Sequence, residues 1–149
     1  MSKVLHTHVA VEIDRGPEEV WPVVSDYASD TRWRKGVTEM TPDRPGAPEV
    51  GTRVREVLEL AGKAYTTDTV VTETGPGMAY RFAGDGTSGA VRGGRTVVAG
   101  SGPGTSVFTY DVELEPHGVP RLAQPVLGWW LTHSLRRDLG RLRTLIETT

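Results

Sequence analysis

The sequence predicts an α+β domain: a curved antiparallel sheet of about seven strands around one long C-terminal helix, with two short helices after the first strand. Three observations carry this. Apolar residues alternate with polar ones at Leu5–Ile13 and again at Phe108–Leu114, the period of a half-buried strand. The strand-like segments between them are separated only by short turns, so neighbours must run antiparallel. Leucines recur at helical spacing from Leu127 to Ile146, supplying the one element long enough to cover the apolar face of such a sheet.

In chain order, Leu5, Thr7, Val9, Val11 and Ile13 share one face of the first strand, with His6, His8, Ala10 and Glu12 on the other. A short helix follows, with Pro17 at its first position and Glu18 and Glu19 where the helix dipole favours acids. Val20, Trp21, Val24 and Tyr27 form its apolar stripe, and Pro22 inside it removes one backbone bond and keeps it short or bent. A second short turn is expected over Ser29 to Trp33. Strands then fall at about 36–41, 52–60, 63–73, 77–83, 90–99 and 105–115. Pro45-Gly46, Ala61-Gly62, Gly75-Pro76-Gly77 and the run Gly84 to Gly89 mark the turns between them. Phe108, Tyr110, Val112 and Leu114 point inward, and the closing helix covers roughly 121–148.

Composition bounds the chemistry. The 149 residues suffice for one domain, 1–149, with a real core and no second cofactor-binding unit. With no cysteine there are no disulfides, thiolate nucleophiles or Cys-based metal sites. A net charge of −2 argues against nucleic-acid binding, and no apolar run is long enough for stable membrane insertion. The start of the chain lacks the apolar stretch of a signal peptide, so a cytoplasmic protein, monomer or homodimer, is expected. Fourteen Arg against three Lys, with no Asn, reads as the codon usage of a GC-rich bacterial genome.

Several motifs carry candidate chemistry. Gly84-Asp85-Gly86-Thr87-Ser88-Gly89 spells a dinucleotide fingerprint, but a strand follows it instead of a helix, so it reads as a loop and no cofactor is expected. His6 and His8 share a face with Glu12, yet that face points to solvent, so no metal is expected either. Glu56 shares parity with Val54, Leu58 and Leu60; if that parity faces in, a carboxylate points toward the interior, where it can act as general acid or base, the other reading being a local bulge or a strand rim where Glu56 reaches water. Arg95 shares parity with Val91 and Val97 and, turned inward, can pair with Glu56 or hold a ligand oxygen; outward, it is a surface arginine. Asp68 is a weaker candidate, on the parity opposite Tyr65, Thr67 and Thr69. Tyr80 and Tyr110 add hydroxyl groups that need partners when buried, and His133, one helical turn from Trp129 and Trp130, is the histidine within reach of an expected cavity, the alternative being a solvated face shared with Arg136 and Arg137. Glu56, Arg95, His133, Tyr80 and Tyr110 are therefore the catalytic candidates. Trp33, Leu58, Tyr65, Met78, Phe82, Phe108 and Trp130 are the expected ligand-binding residues, with core packing as the alternative for the aromatics.

The stretch Val11-Glu12-Ile13, Pro17-Glu18-Glu19-Val20-Trp21, Ser25-Asp26-Tyr27 and Trp33 resembles the opening of the SRPBCC superfamily, also called START-like or helix-grip proteins. Gly104-Thr105 before the last strand and the terminal Leu142-Arg143-Thr144-Leu145-Ile146-Glu147 are similar too. The resemblance covers nearly the whole chain and is nearest to the polyketide cyclase/dehydrase-like branch. It implies a helix-grip fold with a cavity for an apolar or aromatic small molecule between sheet and helix. It further implies a cofactor-independent cyclase/dehydratase-type enzyme acting on a polyketide-like or related secondary metabolite. A non-catalytic lipid or hydrophobic-ligand carrier and a protein-interaction module of the chaperone-activator type stand as alternatives, because fold does not select function.

Overall fold

The computed structural model describes residues 4–75 and 77–149. Pro76, expected in a turn, and the segment before Val4 lie outside the described residues. The element order is β1 (Leu5–Ile13), α1 (Pro17–Val24), a 3-10 helix (Tyr27–Arg32), β2 (Val37–Pro42), β3 (Arg53–Leu60), β4 (Lys63–Thr74), β5 (Met78–Gly86), β6 (Gly89–Ala99) and β7 (Ser106–Pro116). A short 3-10 turn (Arg121–Ala123) then leads into α2 (Gln124–Glu147). The seven strands form one antiparallel sheet in the order β1-β7-β6-β5-β4-β3-β2, a meander whose first strand closes against its last. Among the described residues, no helix is long and apolar enough to cross a membrane.

The inward faces follow the alternation of the sequence. Leu5, Thr7, Val9 and Ile13 of β1 are buried, as are Phe108, Tyr110 and Leu114 of β7, and the two strands pair Leu5 with Leu114 and Val9 with Tyr110. α2 lies over β1 and buries Leu135, Leu139, Leu142 and Ile146, while the hydroxyls of Thr7 and Thr132 hydrogen-bond across the interface. α1 sends Val20 and Val24 into the core at 0% exposure, each worth about 1.5–3 kcal/mol of apolar burial.

Two expectations are corrected. The second short helix begins earlier than Ser29, at Tyr27, because the Asp26 side chain accepts the Ala28 N–H and caps it there. The Gly84–Gly89 run is not a loop: β5 continues to Gly86, β6 starts at Gly89, and only Thr87 and Ser88 make the turn. The glycines serve curvature. A Cβ on Gly84 would come within 2.0 Å of the Asp68 carbonyl oxygen, and one on Gly93 within 2.0 Å of that of Asp111. Only glycine lets neighbouring strands approach so closely, which curls the sheet toward its apolar side. That curl leaves a space beneath α2.

Candidate functional site

A cavity of about 150 Å³ lies between the concave sheet face and α2. Leu5, Met40, Leu58, Phe82, Val91, Val112, Leu114, Trp130 and Leu131 give it mostly apolar walls. Four charged residues also line it: Arg34, Lys35, Glu56 and Asp138. A mostly apolar lining with a few convergent polar groups is the make-up of a small-molecule site.

Glu56 points inward from β3, on the parity of Val54 and Leu58, and its neighbours on the flanking strands are Met40 and Thr67. Its Oε1 accepts a hydrogen bond from Arg34 Nη1 at 2.5 Å. Arg34 follows the 3-10 helix, and the same Nη1 lies 3.5 Å from Asp30 Oδ2. Burial by itself would lower the Arg34 pKa, but Glu56, Tyr110 and Asp30 raise it, so the guanidinium stays charged. The Arg34 guanidinium also sits 5.8 Å from the centre of the Tyr110 ring.

Asp138 enters from α2, one helical turn from Leu135 and Leu142, and is 5% exposed. Its Oδ1 accepts the Lys35 backbone N–H at 3.2 Å and Arg141 Nη1 at 2.8 Å. Burial pushes its carboxyl above the ordinary 3.8, against the opposing pull of Arg34, the Lys35 N–H and Arg141. Asp138 thus holds a proton more tightly than an exposed aspartate does.

Behind the cavity wall lies a second, sealed charge pair. Arg95 and Asp30 are both 0% exposed and bind through two contacts, Nη1 to Oδ1 at 2.9 Å and Nη2 to Oδ2. Arg95 also donates to the Val24 carbonyl at 3.0 Å and the Tyr110 hydroxyl at 3.2 Å. Its guanidinium lies within 5.3 Å of the Tyr27 and Trp33 ring centres and 4.5 Å of that of Tyr110. A buried guanidinium needs a counter-charge, and Asp30 supplies it.

Of the catalytic candidates, Glu56 and Tyr110 line the cavity. Arg95 points inward as its parity implies, but its partner is Asp30 and not Glu56, and it lies outside the cavity lining. Tyr80 is sealed in the core at 1% exposure, packed edge-on against Trp21 and Tyr27. His133 does not face the cavity: it is exposed and stacks on Trp129 at 5.1 Å, on the outer side of α2. Leu58, Phe82 and Trp130 are placed on the cavity lining. Trp33 and Phe108 pack against each other in the core instead. Tyr65 lies near the β3–β4 turn under the Lys63 ammonium and Met78 packs on the core edge, so neither lines the cavity. Asp68 is exposed and pairs with Arg55 at 2.9 Å, while His6 and His8 stand on the outer face beside Asp111.

Sequence reasoning missed Arg34, Asp30 and Asp138. For Asp138 a signal existed, since it sits three residues after Leu135 and four before Leu142, on the apolar stripe itself. The i,i+4 spacing of Asp30 and Arg34 was a weaker hint, because such pairs are mostly solvated.

The family model described as "Polyketide cyclase / dehydrase and lipid transport" matches residues 5–147. No curated protein matches the sequence. Among solved structures, the chain is similar to TTHA0849 from Thermus thermophilus, with a TM-score of 0.81 at 15% identity, covering 96% of this chain and 97% of that one. It is also similar to the Zhui aromatase/cyclase from a Streptomyces species, with a TM-score of 0.79 at 12% identity over 97% and 94% of the two chains. A START superfamily protein from Mycobacterium smegmatis gives 0.77 at 16% identity over 96% and 97%. At these identities the likeness establishes the helix-grip, START-like fold.

Proposed function

The chain belongs to the polyketide cyclase / dehydrase and lipid transport family, and we propose that it is a cofactor-independent acid–base enzyme of the cyclase/dehydratase type, acting on a polyketide-like or related metabolite held in the cavity. The observation that carries this reading is the placement of two carboxyl groups, Glu56 and Asp138, on the lining of one otherwise apolar cavity with Arg34 acting on both. Carbonyl condensation needs a base for the proton α to a carbonyl, a cation for the enolate oxygen and an acid for the departing hydroxyl. Glu56, Arg34 and Asp138 supply these three chemistries in that order. Glu56 takes the α-proton, and the new carbon–carbon bond forms as the enolate attacks a second carbonyl of the same molecule. The alkoxide so formed takes that proton back from Glu56; Glu56 then removes the remaining α-proton while Asp138 protonates the hydroxyl, which leaves as water as the carbon–carbon double bond forms. Tyr110, with its hydroxyl bound to Arg95, orients the substrate by its ring. The apolar walls hold the reacting carbons together, which is itself a source of rate.

The test needs no knowledge of the natural substrate. Exchange of the α-protons of benzoylacetone in heavy water, followed by proton NMR, reads enolisation directly. The protein is expected to accelerate it, and Glu56→Gln to reduce the acceleration by about 100-fold or more, the scale of one positioned base. No acceleration by the unmodified protein would leave a binding module without chemistry, which is the carrier reading.

A further inference from the structure

The cavity is small for its architecture. Pockets for drug-sized ligands run to about 300–1,000 Å³, whereas an apolar cavity of about 150 Å³ holds a benzene. This one measures about 150 Å³. Its sheet-side walls are not readily displaced. Phe82 and Tyr110 meet edge to face at 6.4 Å, and the tip of the Phe82 ring already occupies the space above Gly93, where a Cβ would lie 3.1 Å from it. Trp130, on α2, is the large aromatic of the lining that is only partly buried.

The polar end has its own preference. Arg34 is already engaged by Glu56 at 2.5 Å and approached by Asp30 at 3.5 Å. The Arg95 charge is taken up by Asp30 outside the cavity. At the Arg34 end a ligand anion would therefore meet two carboxyl groups and a guanidinium that is already paired, the lining's other cation, Lys35, being exposed to solvent, while a neutral oxygen function meets donors and acceptors at no such electrostatic cost.

We infer that the natural ligand is a neutral molecule no larger than a single aromatic ring with a short oxygenated substituent, the size of the one-ring product that the closure above would release, seated between Phe82 and Trp130 with its oxygen toward Arg34 and Glu56; this rests on the cavity-binding reading above and narrows its substrate to a short chain that closes to one ring. Fused-ring and long-chain ligands exceed the cavity volume, and carboxylates meet Glu56 and Asp138 at its polar end.

Calorimetric titration of the full chain with p-cresol, acetophenone, benzoate, naphthol, anthrone and palmitate tests it. p-Cresol and acetophenone are expected to bind at least about tenfold more tightly than the other four, the discrimination a shaped pocket achieves over a few carbons. In Trp130→Ala the preference for p-cresol over naphthol is expected to shrink by about tenfold, since the truncated side chain opens the helix-side wall. Naphthol, anthrone or palmitate binding the unmodified protein as tightly as p-cresol overturns the size limit, and benzoate doing so overturns the neutrality. In both cases the enolisation test above can still succeed, so the two readings fail separately. An unchanged preference in Trp130→Ala overturns Trp130 as the wall that sets the limit. Binding by no member of the panel overturns this inference together with the cavity-binding reading on which it rests.

Discussion

Asp30 grips Arg95 with both carboxylate oxygens while one of the same oxygens faces Arg34 at 3.5 Å, so a single buried carboxylate joins the sealed core pair to the cavity. The 3-10 helix that carries Asp30 leads directly into Arg34. The placement of the cavity cation thus depends on a contact that no ligand touches.

Arg95→Ala is expected to lower stability by about 3–5 kcal/mol, because it strands the Asp30 charge in the interior. The double substitution Arg95→Met with Asp30→Leu is expected to recover much of that loss, since no lone charge remains. Urea denaturation of the two variants checks the order, and equal losses would show that the pair is not the origin of the effect.

Asp138→Asn alters the pH dependence of stability. Burial raises the Asp138 carboxyl above 3.8, so across that range the folded state holds a proton that the unfolded chain has released. Its contribution is complete below 3.8 and is lost as pH rises through the folded value. The stability of the unmodified protein relative to Asp138→Asn is therefore expected to fall as pH rises above 3.8 and then level off. Taking the difference between the two proteins removes the opposite slopes of Asp68 and Glu147, which their partners hold below ordinary values.

Two tyrosine-to-phenylalanine changes should separate. The Tyr27 hydroxyl is buried with no partner among the described residues. Removing it is expected to be neutral or stabilising, since an unsatisfied buried hydroxyl costs about 1–3 kcal/mol. The Tyr110 hydroxyl accepts from Arg95 at 3.2 Å. Its loss is expected to cost about 1.5–3 kcal/mol, the range for a hydrogen bond to a charged group. Thermal melts of both variants at neutral pH make the comparison.

Glycine substitutions should likewise diverge. Gly93→Ala drives a methyl to 2.0 Å from the Asp111 carbonyl oxygen, so the strands must part. A loss of about 1–3 kcal/mol or more is expected. Gly140 lies in α2 with nothing within 4 Å of the added carbon. Gly140→Ala is expected to gain about 0.5–1 kcal/mol from the helix backbone. Chemical denaturation reads both signs.

Much of the fold was legible because inward and outward faces follow a period of two in strands and 3.6 in helices. The inward turn of Glu56 and the run Phe108, Tyr110, Val112 and Leu114 come from that alone. Parity does not tell where along a strand the covering helix leaves a gap. Tyr80, Phe108 and Phe82 all point inward, yet only Phe82 borders the cavity. The partner of Arg95 was out of reach for another reason: Asp30 lies 65 residues away, and a buried charge requires a counter-charge without naming it. Asp138 was within reach of helical spacing, but a carboxylate among leucines competes with the habit of placing acids on wet faces. His133 illustrates the converse: it stands one helical turn from Trp130, yet it is exposed and stacks on Trp129 on the outer side of α2.

Because Asp30 touches Arg34 as well as Arg95, the clasp that holds the core together also borders the charge on the cavity wall. Variation at Asp30, which contacts both Arg95 and Arg34, is expected to move the charge on the cavity wall although Asp30 lies outside its lining. A mutational survey restricted to the cavity wall would overlook the residues that set its charge.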